Sequence, residues 1–350
     1  LAETAEAQLT GPKQDRWLRD LERDHGNLLA AFKRSSEEPN GAELGLRFAS
    51  ALSGFWNAHG HSETGRRALA EALGRKGAGV PGPERATALV RAGALALSQS
   101  DYEAAPRLLE EGLGIYRSLG DRKGMARAVS GLVLVALEQK NLTAARSLAE
   151  EALGLYRETE NPRGVAQALH NLGYLAESAG DFETAWKHYG ESLMLFREAG
   201  DFVHVALALA NHGVSALHCG DQRAARDSLA ESLLLTRRLE LRRVGAFALE
   251  GAAELALFLN KPSDAARMFA FAEKIREETR MPGDTLEREK LETFRNRLRE
   301  ILGDGAFGAA VTAGGGAAAT AAGFSSASVR MRASGVPTGT LLLSSTRICS

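Results

Sequence analysis

Cysteine and aromatic residues, from which many chemical sites are built, are scarce in this chain. Only two of the 350 residues are cysteine, and aromatic residues make up 6%. Cys219 and Cys349 are too few for a disulfide framework, and neither has the paired spacing that zinc sites use. We therefore expect no structural metal ion and no cofactor.

An excess of charge of one sign is also missing. The chain has 43 basic and 44 acidic residues, a net charge of -1, so the positive field typical of nucleic-acid-binding proteins is absent. No run reaches the roughly 18 apolar residues that a membrane-spanning helix needs. We expect neither direct nucleic-acid binding nor membrane association. The chain begins with neither Met nor a signal peptide, and we expect it to be a cytoplasmic segment of a larger intracellular protein.

The common short motifs of catalysis do not occur. There is no Gly-x-x-x-x-Gly-Lys-Ser/Thr loop, no Gly-x-Ser-x-Gly elbow and no His-Glu-x-x-His sequence. The eight histidines are scattered, and His218 and Cys219, being adjacent, would point about 100° apart on a helix. We expect the chain not to be an enzyme.

What the chain does have is an internal repeat with a period of 40 residues. Alanine recurs at this spacing, at positions 105, 145, 185, 225 and 265, and leucine at 113, 153, 193 and 233. Tyr116, Tyr156 and Phe196 form an aromatic series that lapses at Thr236. Turn residues such as Gly180-Asp181 divide each unit in two, and the apolar residues between them recur at three- and four-residue steps. Each unit is therefore predicted to be a pair of helices.

The predicted architecture is all-α, a right-handed α-solenoid of about six helix pairs, because a lone pair cannot bury both of its apolar faces. The pairs are expected near 43–76, 84–118, 124–158, 164–198, 204–239 and 244–278. Four regions are predicted. Residues 1–42 hold a linker and a capping helix at 14–36, and residues 43–279 form the repeat array. Residues 280–304 form a second capping helix that Asp284 would begin, and residues 305–350 form a low-complexity tail predicted to be disordered.

One unit resembles a known repeat family. Ala168 to Ala185 has the Leu-Gly pair, at Leu172 and Gly173, and the small residue early in the second helix, at Ala185, that mark a tetratricopeptide repeat (TPR). The closing proline of that motif is absent, and the period is 40 instead of the commoner 34. The resemblance implies a TPR-like superhelix with its first helices on the concave side.

A second, narrower resemblance concerns the start of the chain. The segments 17–32 and 55–67 are similar to the region that opens the repeats of LuxR-type and AfsR-like bacterial regulatory ATPases. This implies a sensor or regulatory arm of a signal-transducing or transcription-regulating ATPase, which binds a partner protein, a peptide or the parent's own ATPase module in its groove. Two alternatives stay open: a recruitment arm of a multidomain enzyme such as a nucleotide cyclase or kinase, and a stand-alone oligomerising adaptor.

The TPR resemblance also selects candidate groove residues on the first helices. They are Arg127, Leu134, Gln167, His170, Asn171, Tyr174, Glu177, Leu207, Asn211 and Val214. Asn171 and Asn211 stand where some family members clamp a peptide carboxylate, but the basic residues that complete such a clamp are missing. The mixed, partly apolar groove suits an amphipathic helix. The alternative is that both asparagines are ordinary repeat residues without a ligand.

Overall fold

Turns recur every 20 residues along most of the chain and set the helix boundaries. A residue in the left-handed conformation stands at nine successive steps: Ser100, Gly120, Lys140, Glu160, Gly180, Gly200, Gly220, Glu240 and Asn260. In seven turns the side chain of the next residue accepts a hydrogen bond from a main-chain amide at the start of the following helix. These residues are Asp101, Asp121, Asn141, Asn161, Asp181, Asp201 and Asp221. A left-handed stop followed by an acceptor side chain thus ends one helix and begins the next.

A computed structural model describes residues 2–6, 9, 14–279 and 285–316. The described part is helical without strands, apart from turns and a short 3-10 segment at Ser35–Glu37. Its helices are α1 (Ala2–Glu6), α2 (Gln14–Arg23), α3 (His25–Arg34), α4 (Gly41–Ala58), α5 (Ser62–Gly74), α6 (Pro83–Ser98), α7 (Ala104–Leu119), α8 (Arg122–Glu138), α9 (Leu142–Glu158), α10 (Pro162–Ser178), α11 (Phe182–Glu198), α12 (Phe202–His218), α13 (Gln222–Arg238), α14 (Arg242–Phe258), α15 (Pro262–Glu278), α16 (Thr285–Leu302) and α17 (Asp304–Gly316).

The helices from α4 to α15 form six consecutive packed pairs, which confirms the predicted solenoid. The first helices of the pairs are α4, α6, α8, α10, α12 and α14, and the second helices are α5, α7, α9, α11, α13 and α15. First helices of neighbouring pairs touch, as α4 with α6, α6 with α8 and α12 with α14 do. Among the described residues, no two second helices make contacts of that extent. The first helices therefore form the inner, concave layer and the second helices the outer layer.

Small residues allow the helices of a pair to approach closely. The alanines of the 40-residue series, at 105, 145, 185, 225 and 265, are all fully buried. Gly173 lies on α10 opposite Tyr189 of α11, and a Cβ atom at 173 would stand 2.8 Å from the Tyr189 ring. Because packed interiors leave no room for added atoms, these positions fix the crossing of the two helices.

The two ends of the array differ from the sequence prediction. The capping helix expected at 14–36 is divided at Asp24 into α2 and α3, whose Leu21, Leu28 and Phe32 pack into the core of the first pair. The prediction that residues from 305 onwards are disordered is wrong for 305–316, which belong to α17. Asp284 and residues 317–350 lie outside the described residues.

α17 covers more of the last pair than α16 does. α17 packs along α15, and its Phe307 and Ala310 are buried in one cluster with Phe269. A glycine-rich and alanine-rich helix can lie this close because its side chains are small: a Cβ at Gly314 would stand 2.4 Å from the Arg267 carbonyl oxygen. α16, predicted to be a cap, instead reaches back towards earlier pairs.

Candidate partner-binding face

The concave layer has an open face on α8. Arg127 and Leu134 are both exposed there, and Leu134 keeps 44% of its surface accessible. They are seven residues apart and therefore lie on one face of the helix. An exposed leucine beside an exposed guanidinium can contact an apolar side chain and a carboxylate of the same partner helix.

On α10 the predicted groove residues are tied to one another and to α12. His170 and Asn171 are buried, with 9% and 7% of their surfaces exposed. The Asn211 amide donates to Nε2 of His170 over 3.1 Å, and the Gln167 amide donates to Oδ1 of Asn171 over 3.4 Å. The prediction that these polar groups are open to a ligand is therefore wrong for His170 and Asn171, because both are buried. His170 bonds to the neighbouring unit, and Asn171 bonds to Gln167 of its own helix.

His170 is held neutral by its surroundings. Burial, with a smaller effect of His204, lowers the pKa of His170 to about 4. Its ring lies 5.1 Å from the ring of Tyr189, measured between centroids. A neutral Nε2 can accept the hydrogen bond from Asn211, whereas a protonated one cannot.

Glu177 lies at a junction of three helices. Its Oε2 accepts a hydrogen bond from the Tyr189 hydroxyl of α11 over 3.1 Å, and its Oε1 pairs with Nζ of Lys290 of α16 at 2.6 Å. Only 10% of the Glu177 side chain is exposed. Burial, followed by the charge of Glu177, raises the pKa of Tyr189 well above its ordinary value. This predicted groove residue is therefore covered by the chain's own helix.

The remaining predicted residues are half-buried between units. Tyr174 packs against the core formed by α6 to α10, while Leu207 and Val214 are partly covered on α12. A Cβ at Gly251 of α14 would stand 2.8 Å from the Val214 Cγ2. These residues contribute to packing along the concave layer as well as to its surface.

The sequence interpretation missed a buried charged cluster at the end of the array. Arg276 donates to both carboxylate oxygens of Glu250, at 2.5 and 3.0 Å, and to Glu287 of α16 at 2.5 Å. Its guanidinium also lies over the Phe247 ring at 4.8 Å. Burial raises the pKa of Glu250 to about 7 against the effect of Arg276, and the charge of Glu287 adds to the rise. Two carboxylates thus share one guanidinium at the start of α16.

A signal for this cluster was present in the repeat. Arg276 stands 40 residues after Thr236, at the position that Tyr116, Tyr156 and Phe196 occupy in earlier units. In those units the aromatic ring packs under the next first helix, as Tyr156 does against Gly164. An arginine here departs from the aromatic series, and the structure places it against Glu287 near the start of α16.

A second cluster of charged and aromatic side chains lies near the N-terminus. Near the N-terminus, His59 Nδ1 and His61 Nε2 contact the same oxygen of Glu22, at 3.3 and 2.9 Å, while His25 accepts a hydrogen bond from Trp56. In the residues that the structure describes, no three His, Cys, Asp or Glu side chains are grouped so that they could hold a metal ion. None of the described helices combines the length and the apolar character that crossing a membrane requires.

Comparison with known proteins supports the repeat fold. Residues 124–198 match the tetratricopeptide repeat family, so this part of the chain is a TPR region. No curated protein matches the chain in sequence.

Several solved structures resemble the whole solenoid. A Rap protein complexed with Competence and Sporulation Factor has a TM-score of 0.55 at 14% identity, covering 95% of this chain and 96% of that one. NprR in complex with its cognate peptide NprX has a TM-score of 0.54 at 14% identity, covering 83% and 93%. Aspartyl phosphate phosphatase F from Bacillus subtilis has a TM-score of 0.53 at 11% identity, covering 86% and 91%. At these identities the likeness shows the fold.

Proposed function

We propose that the chain is a protein-interaction scaffold whose concave layer binds a helical segment of a partner protein. The observation that carries this proposal is the face of α8, where Leu134 and Arg127 stay exposed although most apolar residues of the first helices are buried. A solenoid offers such a face from several consecutive units at once, which suits an extended or helical ligand.

Two of the similar structures support a peptide or protein ligand. The Rap protein is complexed with Competence and Sporulation Factor, and NprR with its cognate peptide NprX. Both share the solenoid over most of their length, so this fold can hold a peptide. For the present chain, a partner that presents a short segment is the corresponding ligand.

The wider setting follows from the resemblance of segments 17–32 and 55–67 to bacterial regulatory ATPases. In this proposal the chain is the cytoplasmic sensor arm of a signal-transducing or transcription-regulating ATPase. It performs no catalysis itself, and its partner is either a separate protein or the parent's own ATPase module. Reading the coding sequence upstream of Leu1 tests this setting, since an ATPase phosphate loop there supports it and a cyclase or kinase domain contradicts it.

The binding face is tested by placing a charge on each layer of the solenoid. Leu134→Glu alters the concave layer, while Met194→Glu is the matched control, because Met194 is 59% exposed on the outer helix α11. Pull-downs from lysate of the source cell should recover a partner with the unaltered chain and with Met194→Glu. We expect Leu134→Glu to reduce recovery at least about fivefold, as loss of a central apolar contact does. Equal recovery by all three chains would contradict the proposal.

A further inference from the structure

A segment of the same chain already pairs with Glu177 and Glu250 of the concave helices α10 and α14 and with residues at the edge of that layer. The first half of α16 forms ion pairs with residues from three different helix pairs. Glu289 pairs with Lys140 of the α8–α9 turn at 2.6 Å, and Lys290 pairs with Glu177 of α10 at 2.6 Å. Glu287 joins Arg276 and Glu250 on the last pair. These partners are up to 149 residues away in sequence.

We propose that α16 occupies the binding site of the partner helix. The partner then binds where α16 lies and must displace the first half of α16. This inference rests on the proposed function, since it assumes a partner on the concave layer. To that function it adds which surface binds the partner, which chemistry the partner has, and how α16 regulates binding by covering the surface. The surface is the α16-covered strip, which we define as Lys140, Glu177, Glu250 and Arg276.

From residue 287 to residue 294, α16 is held by ion pairs together with partial apolar burial. Arg288, Glu289 and Lys290 are exposed, while Leu291 and Phe294 are only half-buried. The Lys140–Glu289 pair is exposed and contributes little, because water solvates the separated charges well and salt screens their attraction. The pairs of Lys290 with Glu177 and of Glu287 with Arg276 each include a largely buried partner. Release of this segment would therefore break these ion pairs and uncover the contacts of Leu291 and Phe294 with the cluster around Phe269.

The second half of α16 is anchored. Leu298 is fully buried in one cluster with Phe269 of α15 and Phe307 of α17. Between these halves, Phe294 and Arg297 border a cavity of about 240 Å³ that also has Leu217, His218, Gly220, Glu254, Leu257 and Phe258 in its wall. The incomplete packing there gives α16 a place to bend when its first half is released.

The strip defines the charges that a partner needs. Lys140 and Arg276 require carboxylates, and Glu177 requires a cation. α16 meets this pattern with Glu287, Glu289 and Lys290, followed by the apolar Leu291 and Phe294 on the same segment. The partner is therefore an amphipathic helix with acidic residues in its first turns, then a lysine or arginine, then large apolar residues. In the free chain α16 competes with the partner for the strip. The apparent affinity for the partner is therefore reduced in proportion to the fraction of chains in which the strip is uncovered.

Docking of α16 is tested by reversing the Lys140–Glu289 pair in the full chain. Both side chains are at least 45% exposed, so the reversals leave the core untouched. Lys140→Glu and Glu289→Lys should each speed hydrogen exchange of the 287–294 amides by about fivefold, and the double reversal should restore the original rate. Arg197→Glu, which breaks the pair with Glu231 on the outer helices α11 and α13, is the matched control and should leave the rate unchanged. Equal exchange of 287–294 in all the chains would overturn the inference.

Displacement is tested with a labelled synthetic peptide of residues 285–302 as the probe. Fluorescence anisotropy should show that the Glu289→Lys chain binds this peptide about fivefold tighter than the unaltered chain, because its own α16 is repelled while Lys140 remains. The Lys140→Glu chain should show no such gain, but should bind a peptide that carries Glu289→Lys. Equal binding of the native peptide to the unaltered and Glu289→Lys chains would overturn the inference.

These outcomes separate the inference from the proposed function. If Leu134→Glu abolishes partner recovery while Glu289→Lys changes neither exchange nor peptide binding, the concave layer binds the partner but α16 does not cover the site. If Glu289→Lys raises both exchange and peptide binding while Leu134→Glu leaves recovery unchanged, the α16-covered strip binds a helix and the proposed face on α8 is wrong.

Discussion

Ala185 shows how little room a single side chain has where two helices of a unit cross. It is fully buried between α10 and α11, at the position where four other units also have a buried alanine. A longer residue there must push the helices apart, and a charged one must also enter an apolar interior without a partner.

We therefore expect Ala185→Arg to lower the free energy of unfolding by several kcal/mol, since overpacking alone costs about 1–3 kcal/mol. Urea denaturation followed by circular dichroism measures the loss. Ala199→Arg is the matched control, because Ala199 is exposed at the end of α11. If the two variants unfold at the same urea concentration, close packing at the crossing is not what selects alanine.

His170 gives the array a dependence on pH at the same scale. Its pKa falls from 6.5 to about 4 on folding because the ring is buried. The unfolded chain therefore binds a proton at this histidine more readily than the folded chain does. The contribution of neutral His170 to the free energy of unfolding is complete above pH 6.5 and is lost as the pH falls towards 4. The loss amounts to about 3 kcal/mol at most.

His170→Gln keeps an acceptor for Asn211 without titrating, so we expect its stability to change less than that of the unaltered chain between pH 7 and pH 4.5. Parallel changes in urea midpoint would contradict this account.

Among the elements, α17 shows most clearly where sequence patterns fail. Its 13 residues include Gly-Gly-Gly and a run of small side chains, so no amphipathic stripe is visible. The helix is stabilised by its fit against α15, where small residues permit a close approach and Phe307 fills the gap. Tertiary packing of this kind cannot be read from local composition.

Phe307→Ala tests that α17 is the true cap of the array. Removing a buried phenylalanine should cost about 3 kcal/mol of stability, and the guanidinium of Arg299, which lies 5.3 Å from the ring centre, loses its aromatic contact. Thr312→Ala, an exposed change on the same helix, should be nearly neutral. Thermal melts of the two variants provide the comparison, and coincident melts would show that α17 does not stabilise the array.

The repeat made most of the fold predictable, whereas the groove was predictable only in part. Helix pairs could be located to within a few residues because Gly180-Asp181 and its equivalents mark both ends of each helix. The polar residues on α10 were expected to face a ligand, but pairing of His170 with Asn211 depends on the spacing between units, which the sequence does not state. Likewise, nothing local to Lys290 indicates that it meets Glu177.

At the scale of the whole molecule, the units have the same backbone period but are not interchangeable. Tyr156 lies over Gly164, where a Cβ would stand 2.2 Å from the ring, whereas in the next unit Phe196 stacks with His204 at 4.9 Å. Each aromatic residue is matched to the residue that begins the following first helix. The match of Tyr116 with Gly124 repeats that of Tyr156 with Gly164, whereas the match of Phe196 with His204 differs, so not every unit can replace another.

Deletion of residues 161–200 tests this matching. The deletion joins Glu160 to Asp201, which keeps a left-handed residue before a capping aspartate but sets Tyr156 against His204. We expect the shortened chain to melt well below the full chain, and His204→Gly in the shortened chain to recover much of the loss because the ring regains its place. If His204→Gly lowers the melting temperature further, the pairs do not determine which units can be neighbours.

The left-handed turns offer a way to adjust heat resistance without changing either surface of the solenoid. Five of the nine successive turn residues carry a side chain, and a left-handed conformation costs such residues about 1 kcal/mol that glycine does not incur. Glu160 and Glu240 are four turns apart in this series, too far for contact, so glycine replacements at the two positions should act additively. Lys140 is the exception, because it also holds α16. The same backbone can thus be tuned in small, independent steps for organisms that grow at different temperatures.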